Sequence, residues 1–322
     1  MSFTVRPAHC SEWDWALEIL FAGDDDPDER ARESFSSSNR GEISFEHLLL
    51  AEEKGEAVGA GLFVPQPGRV AFVWPPGVKS DHPSQREIRK SLLTEIGRRS
   101  DELGICLGQV ILDPGEQTIR EELNQTGFDH LTDLHYMLCP ADGPAAPISE
   151  PFELETFDEP ANASRFAQVL ARTYIETLDC PELDGLRKPE EALLAHQATG
   201  TFDPKGWRIL RQDGCDAGLL LINEHPEREL LELVYMGVVP EFRGRGLGRR
   251  LVEWAVNEAR REARPLVLAV DGRNHFARKI YRSLGFLDLT RKAVHVRPAR
   301  GFPLQSQSTV YAQPRGLCKK IS

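Results

Sequence analysis

From Leu247 onward apolar residues recur every fourth position, at Leu247, Leu251, Ala255, Ala259 and Ala263, with Arg249, Arg250, Glu253, Arg260 and Arg261 between them. This period predicts an amphipathic helix whose apolar face lies on a sheet. Upstream, residues 164–177 read as a helix, 207–211 and 217–223 as a hairpin, and 230–239 as a strand. Downstream, residues 266–270 form a short apolar strand, 274–284 a helix stopped by Gly285, and 286–296 a last strand region. The first half runs in the same order: a helix at 12–21, a hairpin at 48–64, a strand at 69–74, a helix at 85–103, a strand at 105–112 and a helix at 116–126. Gly127-Phe128 closes that helix as Gly285-Phe286 closes its counterpart 158 residues later, so duplication and fusion is the simplest account.

The stretch Pro140 to Pro151, PADGPAAPISEP, has the composition of an exposed connector. The reading is therefore a first domain at 1–139, a linker at 140–151, a second domain at 152–298 and a tail at 299–322, both domains α/β with a mixed sheet flanked by helices. At 322 residues, two domains of ordinary size are expected.

Thirty-nine basic against fifty acidic residues give a net charge of −11, which opposes nucleic acid or anionic membrane as a main partner. No apolar run reaches the roughly 20 residues of a membrane span, and the start lacks a signal-peptide pattern, so a cytoplasmic location is expected. The six cysteines are scattered without a C-x-x-C pair and the histidines lack ligand spacing, so no metal site is expected.

Between the strand ending at Val239 and the helix beginning near Leu247 lies Pro240-Glu-Phe-Arg-Gly-Arg-Gly-Leu-Gly248. A glycine-rich turn into a helix N-terminus presents unpaired N–H groups and the positive end of the helix dipole to an anion, and glycines allow close approach. Arg243 and Arg245 add charge there. No G-K-[ST] follows, and the glycine spacing does not fit the dinucleotide fingerprint. Alone, the turn also reads as an ordinary strand-to-helix connection. About thirty residues on comes Asn274-His-Phe-Ala-Arg-Lys-Ile-Tyr281-Arg-Ser-Leu-Gly285-Phe286.

The two segments together resemble the GNAT acetyltransferase family, in which the first motif binds the pyrophosphate of coenzyme A and the second supplies an asparagine, a tyrosine and the Gly-Phe turn. The resemblance implies acetyl-CoA as cosubstrate, without metal, and acetyl transfer to a small-molecule or peptide amine. It implies that Val238 and Val239 end a strand whose splayed backbone bonds the pantetheine arm. Arg243, Gly244, Arg245, Gly246, Leu247 and Gly248 would present N–H groups to the pyrophosphate, and Asn274 would contact the cofactor arm. Tyr281 would protonate the leaving thiolate, a task suited to a phenol, whose ordinary pKa is about 10. Tyr281 also falls on one helix face with Ala277 and Leu284, so a core role is the alternative. Glu232 stands where the histone-acetylating branch places its glutamate base, and strand alternation puts it on one face with Val234, Met236 and Val238. Otherwise it is a solvated or salt-bridged strand-end carboxylate. Glu176, Asp179 and Glu182 could hold a cationic amine or form a solvated loop.

At the equivalent turn the first half reads Pro75-Pro-Gly-Val-Lys-Ser-Asp-His-Pro-Ser84, with prolines removing donors, and Glu122 or Leu123 stands where a tyrosine would be sought. It reads as a degenerate lobe, similar in plan to tandem members of the family such as mycothiol synthase. A non-catalytic acyl-CoA sensor is the rival class. Retention of Tyr281 and Glu232 favours an enzyme.

Overall fold

The computed structural model describes residues 3–22, 44–142, 153–301 and 304, which divide into two compact units. The first contains β1 (Thr4–Pro7), α1 (Trp13–Leu20), β2 (Leu48–Glu53), β3 (Glu56–Gln66), β4 (Val70–Val73), β5 (Gly77–Val78), α2 (Gln85–Glu102), β6 (Leu107–Leu112), α3 (Gln117–Gln125) and most of β7 (Asp129–Cys139). Its strands pair in the order β1-β2-β3-β4-β6, antiparallel except for β4 with β6. Ile88, Leu92, Leu93 and Ile96 of α2 are buried on this sheet among Leu49, Phe63 and Val110.

The second unit contains β8 (Glu153–Thr156), α4 (Ala163–Tyr174), α5 (Pro189–Gln197), β9 (Trp207–Gln212), β10 (Cys215–His225), β11 (Leu230–Val238), α6 (Leu247–Arg261), β12 (Leu266–Asp271), α7 (His275–Ser283) and the start of β13 (Leu287–Pro298). Its strands pair in the order β8-β9-β10-β11-β12, again antiparallel except for the last pair, β11 with β12. The repeated order of helices and strands, with the parallel pair at the same place, is what the internal similarity predicts. The amphipathic period also holds: Leu247, Leu251, Val252, Ala255, Val256 and Ala259 of α6 are buried against the sheet.

The last strand of each half departs from the expected partition. Residues 290–298, read as the end of the second domain, belong to the first unit, where residues 293–298 pair antiparallel with β6, while Tyr136–Cys139 belong to the second. Most of the expected linker (143–151) and of the tail lies outside the described residues. A chain cut in that linker would therefore take from the first unit a strand that completes its sheet. Alternation cannot reveal which sheet a strand joins, because any edge of matching register satisfies it.

Candidate active site

β11 and β12 are hydrogen-bonded at Leu231–Leu266 and Glu232–Val267, and their register goes no further. Beyond that point the strands part, and Leu233 to Val238 on one side and Leu268 to Val270 on the other line a cavity of about 680 Å³. Its remaining walls come from the glycine turn, from α7 and from the loop after α4. A strand edge without its neighbour exposes peptide N–H and C=O groups that a bound chain of amides can satisfy.

At the mouth of the cleft Gly244 and Gly246 have φ of +75° and +76°, the left-handed region that other residues enter at a cost. A Cβ at Gly246 would meet nothing within 4 Å, so the space above the turn is open. The first bond closing the turn into α6 runs from Arg250 N–H to Gly246 O. The N–H groups of Leu247, Gly248 and Arg249 thus lack intrahelical acceptors and stand at the positive end of a helix of 15 residues.

Two assignments at this turn need correction. Arg243 is not a free charge: its guanidinium donates to the carbonyls of Val238 (2.9 Å), Thr173 (3.0 Å), Ile175 (2.7 Å) and Glu176 (3.1 Å), and its own N–H bonds Pro240 O. It ties the turn to the end of α4, where a cation complements the helix dipole. Val239 is fully buried, its N–H on Ala217 O and its carbonyl taken by Phe242 N–H, so only Val238 of that pair lines the cavity. Arg245 bonds Glu241 O and lies over the Phe242 ring.

Asn274 caps α7, its Oδ1 accepting from Ala277 N–H at 3.1 Å, and it lines the cavity. Tyr281 is buried against Phe286 and also lines the cavity. Burial, assisted by the carboxylate of Asp179, pushes its phenol well above the usual value and keeps it protonated.

Glu232 is displaced from its expected neighbours. Leu221 of β10 faces Tyr235, but Ile222 faces Leu233, so Val234 is an extra residue in β11. The bulge reverses the alternation: Glu232, opposite Asn223, shares a face with Tyr235, opposite Leu221, and not with Met236 and Val238. Its carboxylate accepts from His225 Nε2–H at 2.6 Å, and it is not among the lining residues of the cavity. Alternation from sequence could not register an inserted residue.

Several lining residues escaped sequence reasoning. Tyr235 bonds Thr173 Oγ1 at 2.9 Å and packs edge-on to Tyr174, whose hydroxyl meets His196 Nε2 at 3.1 Å; burial drops that imidazole to about 3, so it is neutral. Phe276 stands 76% exposed at the rim, one residue past the start of α7, where a large apolar side chain has no packing reason to be. That position, read against the helix cap, was the available signal.

In the first unit the matching turn is closed. β5 pairs with β3, Lys79 N–H bonds Val58 O, His82 N–H bonds Lys79 O and Ser84 N–H bonds His82 Nδ1. A Cβ on Gly77 would lie 2.0 Å from Ile19 O, so the end of α1 occupies the space that is open at Gly246.

Residues 171–286 match the model of the acetyltransferase (GNAT) family. The second unit carries a GNAT domain. The chain is 29% identical over 160 residues to a mycothiol acetyltransferase of Streptomyces griseus, covering 49% of this chain and 50% of that protein, so it spans about half the length of that relative. A GCN5-related N-acetyltransferase structure from Sphaerobacter thermophilus superposes with a TM-score of 0.57 at 19% identity, covering 92% of this chain and 96% of that one. A tandem GNAT protein from the clavulanic acid biosynthesis pathway gives 0.50 at 16% identity, covering 92% and 98%. These two likenesses extend the fold over both units. Among the described residues no helix is long and apolar enough to cross a membrane.

Proposed function

We propose that the second unit transfers the acetyl group of acetyl-CoA directly to an amine, and that the first unit, whose turn is closed, holds no acetyl-CoA. The observation that carries this reading is the parting of β11 and β12 into a cleft that ends at the open, left-handed Gly244–Gly246 turn and holds Tyr281 in its wall. The donors at Leu247, Gly248 and Arg249 fit a pyrophosphate. The parted strand edges fit the amides of pantetheine, and Asn274 stands within the same walls. Amine attack on the thioester carbon forms the C–N bond and breaks the C–S bond. Tyr281 gives its proton to the departing sulfur, and its phenolate is reprotonated from solvent. The attacking nitrogen loses one proton; Glu232, which lies outside the cavity wall and is bonded to His225, is the proposed acceptor through solvent and not by direct contact.

Screening the intact chain for acetyl-CoA consumption against amines, amino sugars, amino acids and peptides tests the reading. An acetylated amide is the expected product; acetyl-CoA binding without turnover on any amine would favour a sensor. Glu232→Gln should slow transfer most at low pH and recover as pH approaches the amine's own pKa, where free amine no longer needs a base. Wild-type rates from about pH 6 to 10 would remove Glu232 from the mechanism.

A further inference from the structure

A carboxylate inside the cavity remains without a task. Asp179 lies in the loop after α4, and a reciprocal pair of bonds fixes that loop to the end of β12: Asp271 N–H donates to Asp179 Oδ1 at 2.8 Å and Cys180 N–H donates to Asp271 Oδ2 at 3.1 Å. Asp179 thereby lines the same cavity as Tyr235 and Tyr281. Its Oδ2 has no hydrogen-bond partner among the described residues. The neighbouring acids are neutralised differently, since Arg273 bonds both Asp271 and Glu182. Three carboxylates thus share one guanidinium, and Asp179 is the one that the guanidinium does not bond. Arg243, which also lines the cavity, is held on four carbonyls.

Resting on the transferase reading, we propose that Asp179 is a specificity-determining residue that receives the acceptor's amino group as an ammonium ion and places it beside Tyr281; that ion releases one proton to solvent before its nitrogen attacks, and the second proton leaves as the amide forms. A half-buried excess of negative charge flanked by phenol rings suits a protonated amine and penalises a neutral alcohol of the same shape, which leaves the carboxylate uncompensated. The groups facing Asp179 are Tyr281 of α7, Tyr235 of β11, Tyr174 of α4, Cys180 of its own loop, Asp271 at the end of β12 and Arg273 just after it. Burial raises the Asp179 carboxyl to about 6, against the hydrogen bond from the Asp271 N–H, which lowers it, while the Asp271 charge raises it and Arg273 lowers it. Cation binding should therefore be complete above that pH and fade as pH falls through it, while the amine itself stays charged throughout.

The test titrates benzylamine and its neutral isostere benzyl alcohol into the intact, CoA-saturated chain by calorimetry. At pH 7.5 the wild type should prefer the amine at least tenfold, with the preference shrinking toward pH 5. Asp179→Asn keeps the acceptor for Asp271 N–H and should abolish the preference while leaving CoA affinity unchanged; Asp179→Glu, which restores the charge, should recover part of it. If the asparagine variant loses CoA as well, the glutamate variant decides. Equal binding of amine and alcohol by the wild type, or a preference that survives Asp179→Asn, overturns the proposal. Failure here with amines still acetylated condemns only Asp179, whereas absence of any acetylated amine condemns the transferase reading.

Discussion

Replacing Tyr281 by phenylalanine is expected to lower turnover by about 10²–10⁴, the usual worth of general-acid assistance, with acetyl-CoA affinity unchanged. The substitution removes one oxygen and keeps the ring that packs against Phe286. The burial that raises the phenol also makes a bare thiolate costly in the same cleft, so proton transfer accompanies C–S cleavage. Because the raised phenol stays protonated to higher pH than a free tyrosine, the wild-type rate should show no loss from its ionisation up to about pH 10. Initial rates and acetyl-CoA titrations on both proteins check this. An equal fall in affinity and rate would mean that Tyr281 acts by packing, and full activity would mean that solvent protonates the sulfur.

Gly246→Val should weaken acetyl-CoA binding by on the order of 10²–10⁴, equivalent to losing about two charge-assisted hydrogen bonds at 1.5–3 kcal/mol each. The valine side chain would project into the open space over the donors of Leu247, Gly248 and Arg249. A β-branched residue at φ +76° adds strain of about 1–3 kcal/mol, so Gly246→Ala, which shares the backbone cost and carries one methyl, is the control. The valine variant should lose far more affinity than the alanine variant while both keep native circular dichroism. Equal losses would trace the effect to the backbone, and unchanged binding would leave the turn a purely structural connection.

What sequence could and could not disclose follows from the range of each signal. The α6 period, the glycine turn and the Asn274-to-Phe286 segment are local patterns, and the structure places the turn with the first residues of α6, and Asn274 to Tyr281, in the walls of one cavity. The duplication was legible because Gly127 and Gly285 each need a left-handed backbone after a helix. The bulge at Val234 was not, since one inserted residue leaves composition and hydropathy intact while exchanging the faces of everything before it. Arg243 was read as an anion ligand because charge near a phosphate turn is the simplest inference; its carbonyl partners at Thr173, Ile175 and Glu176 lie about seventy positions away. Asp179 became interpretable only once Asp271 and Cys180 showed where its loop is pinned. Strand order beyond β6 depended on residues 293–298, whose pairing is equally compatible with either half in sequence.

The central claim is that one cleft, in the second unit, receives acetyl-CoA. Amide hydrogen exchange on the intact chain, with and without saturating acetyl-CoA, tests it most directly. The account predicts slowed exchange at residues 233–238 and 244–249, at the parted strand and the open turn, with no change at residues 77–84. Protection confined to residues 77–84, or shared equally by the two turns, would contradict it.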